Sequence, residues 1–442
     1  MPNLSHVIDT LVFPRWIIPV EPHNVYHENM ALAIHQGRIV ELLSQEAARE
    51  RYQAKEEIML PEHAVLPGFI NAHTHSPMTL LRGVADDLAL MDWLNNHIWP
   101  VEKNYMGEQF VSEGGELALA EMIRCGTIGF NEHYFYYEAM ATTIVQAGMR
   151  ARVGVTLLEP ADASFQSYLS DVNTKGLAFI ERYKNHSLVQ PSMTPHAPYT
   201  VSDNGFIRTN EIAQEYQIPI HVHMHETAFE VDTEIVNSNK RPLKRLYDLG
   251  LLSSHFQAVH MTQMNEEDMN IVLETGVHIV HCPESNLKLA SGFCPVGKLL
   301  RSNVNVALGT DGAASNNDLD MIGEMRTAAL IGKIVAQDET AVSAADVLRM
   351  ATFNGAKAMQ WEKETGSLEV GKSADMIAID LSDVNTQPVY NPISQIVYAA
   401  HQHQVTDVWV QGRPLMRNRE LTTLDEKAIL SNTKAWRERI KK

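Results

Sequence analysis

The sequence is poor in cysteine: among 442 residues only Cys125, Cys282 and Cys294 occur, and no two form a CxxC pair. Three scattered thiols cannot build a disulfide framework, and the pattern fits a chain kept in a reducing cytoplasm. Long apolar runs are also missing, since none approaches the roughly 18 residues that span a bilayer. The apolar stretch 11–20 is interrupted by Pro14, Arg15 and Pro19 with no basic segment before it, so a secretory signal is not expected. Positive charge is scarce, with 36 Lys+Arg against 54 Asp+Glu and a net charge of -18. Nucleic-acid binding needs a basic stripe, and an acidic surface repels anionic lipid, so neither polymer nor membrane is expected as a partner. A small neutral or zwitterionic molecule is. No GxGxxG follows an early strand, which removes the usual signal for a dinucleotide site.

What remains is an ordinary globular composition, 45% hydrophobic and 20% charged. The length suggests two or three domains, or one large barrel with an appended module. Short strand-like stretches occupy 9–13, 16–19, 30–35 and 38–43, and the same texture returns at 375–381, 407–410 and 413–416. Residues 1–64 and 366–442 are therefore expected to form one small β-sandwich built from both termini, ending in a surface helix over 425–442. Between them, apolar β-branched runs alternate with helical segments. The runs are 65–75, 127–134, 151–158, 188–196, 218–226, 257–262, 277–282 and 304–311. Eight strand–helix units over 65–365 predict a (β/α)8 TIM-type barrel, the alternative being an open doubly wound sheet.

Chemistry in such barrels sits at the C-terminal strand ends. There the runs place His73 and His75, His133, His196, His223 and Glu226, His260, His281, and Asp311. Packing does not explain so many polar groups at one end of separate apolar strands. His73 and His75 lie two apart, so on an extended strand both rings face the same way and can meet one ion. His221, His223 and His225 alternate similarly, and spacing alone leaves open which of them is a ligand. Asp311 sits between Gly309 and Gly312, which let the backbone approach the barrel axis. Three histidines and one aspartate leave an open position for water, as a catalytic metal site requires. The run 188–196 has no lysine to bridge two ions, which favours a single metal. A divalent ion brings the pKa of water to about 7, and Asp311 can take up the released proton.

Several stretches resemble the amidohydrolase superfamily: PGFINAHTH at 67–75, the His223-x-x-Glu226 pair, and GTDG at 309–312. HSPMTLLRGVA at 75–85, WPVE at 99–102, PHAPY at 195–199, SNLKL at 285–289 and DGAASNN at 311–317 are similar to its 5'-methylthioadenosine/S-adenosylhomocysteine deaminases. The resemblance implies one divalent metal held by His73, His75, His223 and Asp311. Zinc is the first expectation, although iron, manganese and nickel accept the same ligands. It implies that Glu226 shuttles protons at the purine N1 and amino group, that Asp311 shares in catalysis, and that His260 orients the attacking water. Glu102 would hold the ribose hydroxyls, and His196, Trp93 and Ser315 would contact the nucleoside. A homo-oligomer, dimer or tetramer, is also implied. Two other readings share these residues: a hydrolase of a guanine-type base or a triazine, and a non-catalytic barrel.

A homocysteine tail carries a carboxylate best held by an arginine fork. The third run ends in GVTLL at 154–158, and its arginines, Arg150 and Arg152, stand at the wrong end. The uncharged methylthio nucleoside is therefore the expected preference. Steady-state kinetics should give it the higher kcat/KM, and S-adenosylhomocysteine turned over as efficiently would refute that.

Overall fold

The computed structural model describes residues 6–88, 92–159 and 171–441. The amino-terminal strands are β1 (His6–Ile17), β2 (His27–Glu28), β3 (Met30–His35), β4 (Arg38–Ser44) and β5 (Tyr52–Pro67). Eight further strands follow: β6 (Phe69–Thr74), β7 (Thr127–Glu132), β8 (Arg150–Leu157), β9 (Val189–Pro195), β10 (Ile220–Met224), β11 (Phe256–His260), β12 (His278–His281) and β13 (Val306–Leu308). The carboxy-terminal strands are β14 (Met376–Asp380), β15 (Val405–Val410), β16 (Arg413–Arg417) and β17 (Glu420–Leu421).

Strands β6 to β13 pair in sequence order in one parallel sheet. Its ends are brought together where Asp311 N donates to His73 O at 3.0 Å. The eight expected runs each overlap one of these strands, and the (β/α)8 barrel is the fold. Both faces of a barrel strand are covered, and β10 to β13 are buried along their whole length. Helices cover the outside. The helix Glu266–Thr275 between β11 and β12 shows how local sequence sets the limits. Asn265 and Asp268 form a reciprocal capping box at its start, and Gly276 ends it at φ +71°.

The two ends of the chain form a second, mixed sheet in the order β17-β16-β15-β14-β5-β1-β3-β4, with β2 on β1. The run 65–75 divides between the two sheets. Residues 65–67 pair with β14, and the barrel strand starts only after Gly68. A Cβ at Gly68 would stand 2.2 Å from the Ile128 side chain, so the chain passes between sheets only as glycine. Strand β5 had no counterpart among the expected runs. Its burial alternates with exposed charged positions for most of its length, so no apolar run marks it. The terminal helix runs Glu426–Ile440 and docks through Ile429 and Trp436, the latter edge-on to Phe110. Lys442 lies outside the described residues.

Arg150, at the start of β8, reaches out of the barrel to Asp375 beside β14, Nε to Oδ2 at 2.7 Å, with the carboxylate fully buried. Asp375 also accepts from Gln411 N and Ser373 Oγ. Arg152 donates to Met359 O and Pro191 O, so both arginines are committed far from the strand ends that carry the chemistry. Arg150→Met leaves a buried carboxylate without its cation and should reduce unfolding free energy by about 3–5 kcal/mol. Denaturant unfolding measures this, and a loss below about 1 kcal/mol would mean that the pair does not couple the two sheets.

Candidate active site

Four side chains from two strand ends and the turn after a third strand arrive at one point. His73 and His75 come from the end of β6, His223 from β10, and Asp311 from the turn after β13. His73 Nε2 and His75 Nε2 lie 3.2 and 3.3 Å from Asp311 Oδ1. His223 Nε2 lies 3.2 Å from each of those two nitrogens. Donor atoms around one tetrahedral cation with bonds of about 2.0–2.1 Å stand about 3.3 Å apart. These four separations suit such a cage, and three imidazoles with one carboxylate are a donor set that suits a divalent ion.

The rings are aimed from behind. His75 Nδ1 donates to His133 O at 2.5 Å and His223 Nδ1 to His196 O at 2.7 Å, which leaves each Nε2 a lone pair. Burial pushes the His73 pKa down and that of His223 far down, which favours the neutral rings a cation would need. Burial alone would raise the Asp311 carboxyl, but the His73 and His75 rings that face its Oδ1 outweigh it and hold it well below the usual range. Ser285 Oγ and Ser315 Oγ both donate to Asp311 Oδ2, at 2.7 and 2.9 Å, which frees Oδ1 for the cage. Two backbone features permit this approach. Asp311 adopts φ +66°, and a Cβ on Gly309 would lie 2.7 Å from His73 N.

Glu226 and His260 stand beside the cage, with Oε2 and Nε2 3.9 Å apart. Burial first, then Asp311 and Glu230, push the Glu226 pKa well above the carboxylate norm, which favours its protonated form. Asn286 Nδ2 donates to His260 Nδ1 at 2.9 Å, which puts the His260 proton on Nε2, toward the site. Burial lowers the His260 pKa to about 3.

The cage is the floor of a cavity of about 730 Å³. Of the residues expected to contact a substrate, Trp93, Glu102, His196 and Ser315 all line it. Glu102 projects from the helix Trp99–Tyr105 and accepts a short hydrogen bond from Tyr134 OH, while burial raises its pKa. His196, held by Thr200 at 2.9 Å, has its pKa lowered by burial to about 3. Ser315 reaches the cavity wall with its hydroxyl committed to Asp311.

The three alternating histidines do not share one direction. Strand β10 ends at Met224, and His225 turns to φ +52°, where its Nε2 accepts from Leu243 N. His221 bonds to His73 behind the cage. His133 lies parallel to His223 at 4.6 Å, with neither ring nitrogen bonded within the protein. Ser285, Asn286 and Tyr134 went unassigned in the sequence. The first two lay inside the SNLKL stretch, but nothing in their spacing reveals that they brace Asp311 and His260.

Residues 64–415 match the amidohydrolase family. The 5-methylthioadenosine/S-adenosylhomocysteine deaminase of Teredinibacter turnerae is 47% identical over 433 residues, 98% of each chain. That of Saccharophagus degradans is 47% identical over 432 residues, covering 98% of this chain and 97% of its own. A crystal structure of an adenosine deaminase from Xanthomonas campestris with bound zinc superposes with a TM-score of 0.96, at 46% identity over 99% of both chains. The chain belongs to the amidohydrolase family and, within it, to the 5-methylthioadenosine/S-adenosylhomocysteine deaminases.

Proposed function

We propose that the chain hydrolyses the exocyclic C–N bond of an adenine nucleoside, 5'-methylthioadenosine before S-adenosylhomocysteine or adenosine, giving the inosine analogue and ammonia. The observation that carries this reading is geometric: Glu226 and His260, 3.9 Å apart, stand beside three imidazoles and a carboxylate at the floor of a cavity of about 730 Å³. The names of the near-full-length relatives support it. His73, His75, His223 and Asp311 would hold one divalent cation, zinc first among the candidates. Such an ion supplies Lewis acidity that makes water a nucleophile at neutral pH.

The protein's own groups then account for every proton. Glu226 gives its proton to the purine N1, which draws electrons from C6. Water adds at C6, and its proton passes to Asp311, whose Oδ2 stays fixed by Ser285 and Ser315. The His260 Nε2–H donates to the oxygen now on C6. The Asp311 proton moves to the amino nitrogen, the Glu226 carboxylate removes the hydroxyl proton, and the C–N bond breaks as C6=O forms. Glu226 ends protonated and Asp311 ionised, as both began. Glu102, steadied by Tyr134, accepts from the ribose hydroxyls, and His196 contacts the nucleoside. Trp93 and Ser315 complete the wall.

Ultraviolet assays across methylthioadenosine, S-adenosylhomocysteine, adenosine, adenine and guanine test the reading, with elemental analysis of the purified chain. The expected result is deamination of the adenine nucleosides and about one divalent ion per chain. Glu226→Gln should lower kcat about 10²–10⁴-fold. Guanine as the preferred substrate, or wild-type activity in Glu226→Gln, would overturn the proposal.

A further inference from the structure

His75 and His223 are backed by carbonyl oxygens, which can only accept, so each must carry its proton on Nδ1. His73 is different. Its Nδ1 lies 2.7 Å from His221 Nε2, and an imidazole nitrogen can donate or accept. Were His221 to carry its proton on Nε2, it would donate to His73 Nδ1. The His73 proton would then sit on Nε2, pointing into the cage, with no lone pair left for a cation. The 2.7 Å separation is too short for two nitrogens sharing one ion, so this contact is a shared proton and not a shared metal.

The choice is made one residue further back. Gln257 Nε2 donates to Ala358 O at 2.5 Å, which fixes the amide orientation and turns Oε1 toward His221 Nδ1 at 2.7 Å. Asn131 Nδ2 donates to the same Oε1 at 2.9 Å. Asn131 Nδ2 also lies 3.0 Å from His221 Nδ1, but accepting from it would set a ring lone pair against Gln257 Oε1 at the shorter distance. His221 therefore carries its proton on Nδ1 and presents a lone pair at Nε2. Asn131, His73, His221 and Gln257 are all fully buried, so bulk water does not compete for these bonds.

We infer that Gln257, acting through His221, is a positioning residue that fixes the tautomer of His73 and so leaves its Nε2 free to bind a cation. The relay runs from Ala358 O to Gln257, to His221, to His73, with each link of one polarity. It rests on the metal reading of the cage given above, and it concerns residues that touch neither substrate nor ion.

The test compares zinc affinity, by chelator competition, in wild type, Gln257→Leu, His221→Phe and His221→Gln. Ring-nitrogen NMR of metal-stripped, ¹⁵N-histidine-labelled protein accompanies it. Gln257→Leu and His221→Phe should bind zinc about 10–100-fold more weakly. His221→Gln, whose amide can donate to Gln257 and accept from His73, should keep most of the affinity. In wild type one His73 nitrogen should read as fully protonated Nδ1, whereas in Gln257→Leu the two tautomers mix, a change that loss of packing alone does not produce. Should Gln257→Leu fail to fold, the contrast between His221→Gln and His221→Phe decides. Wild-type protein that takes up no zinc overturns the metal reading. Tight zinc binding that is unchanged in Gln257→Leu and His221→Phe overturns the relay alone.

Discussion

The site depends on the seam where the last barrel strand meets the first. A carboxylate near residue 311 can join imidazoles at 73 and 75 only if β13 closes against β6, and three hydrogen bonds make that closure. Thr310 N donates to Asn71 Oδ1 at 3.0 Å, Asn71 Nδ2 returns to Thr310 Oγ1 at 2.7 Å, and Asp311 N donates to His73 O at 3.0 Å. These bonds bring the backbones so close that only glycine fits at 309. The left-handed backbone of Asp311 then turns its side chain inward. Such strain is stable only where surrounding contacts fix it, and here the contacts are those that assemble the cage.

Within the cage, geometry divides one carboxylate between two tasks. The hydroxyls of Ser285 and Ser315 occupy Oδ2 and set the plane of the group, while Oδ1 faces the His73 and His75 imidazoles. Glu226, 3.9 Å from His260, has no such donors on its carboxylate among the described residues, and burial raises its pKa. Two acids in one cavity thus have their pKa values pushed in opposite directions, the condition for one to accept a proton while the other gives one.

Much of this was legible in the sequence, for a physical reason. Barrel strands are buried on both faces, so apolar runs mark them, and reactive groups at their ends stand out against that background. The eight runs and the residues at their ends follow from that contrast. β5 was invisible because it is half exposed and charged, and the handover at Gly68 because both sheets draw on one continuous apolar stretch. Alternation along β10 could not separate the three histidines, since it says nothing of where the strand stops. His225 leaves the pattern because β10 ends one residue earlier. The partners that fix ring orientation, among them Gln257 and Asn286, lie in other strands and loops, and only the fold brings them near.

The cavity wall extends the same logic to the substrate. Above the polar floor stand Met78, Leu94, Ile98, Trp99 and Met106, and the end of β8 contributes Thr156 and Leu158. Among the described residues lining the cavity, Lys103 is the one lysine or arginine, and it is exposed. Arg150 is spent on docking the terminal sheet and Arg152 on bracing a carbonyl at the opposite end of the barrel. A charged tail would have to give up hydration against an apolar wall without a buried cation in return. On the proposed reading an uncharged thioether loses nothing by entering, so selectivity follows from how the barrel holds itself together as much as from the residues at its mouth.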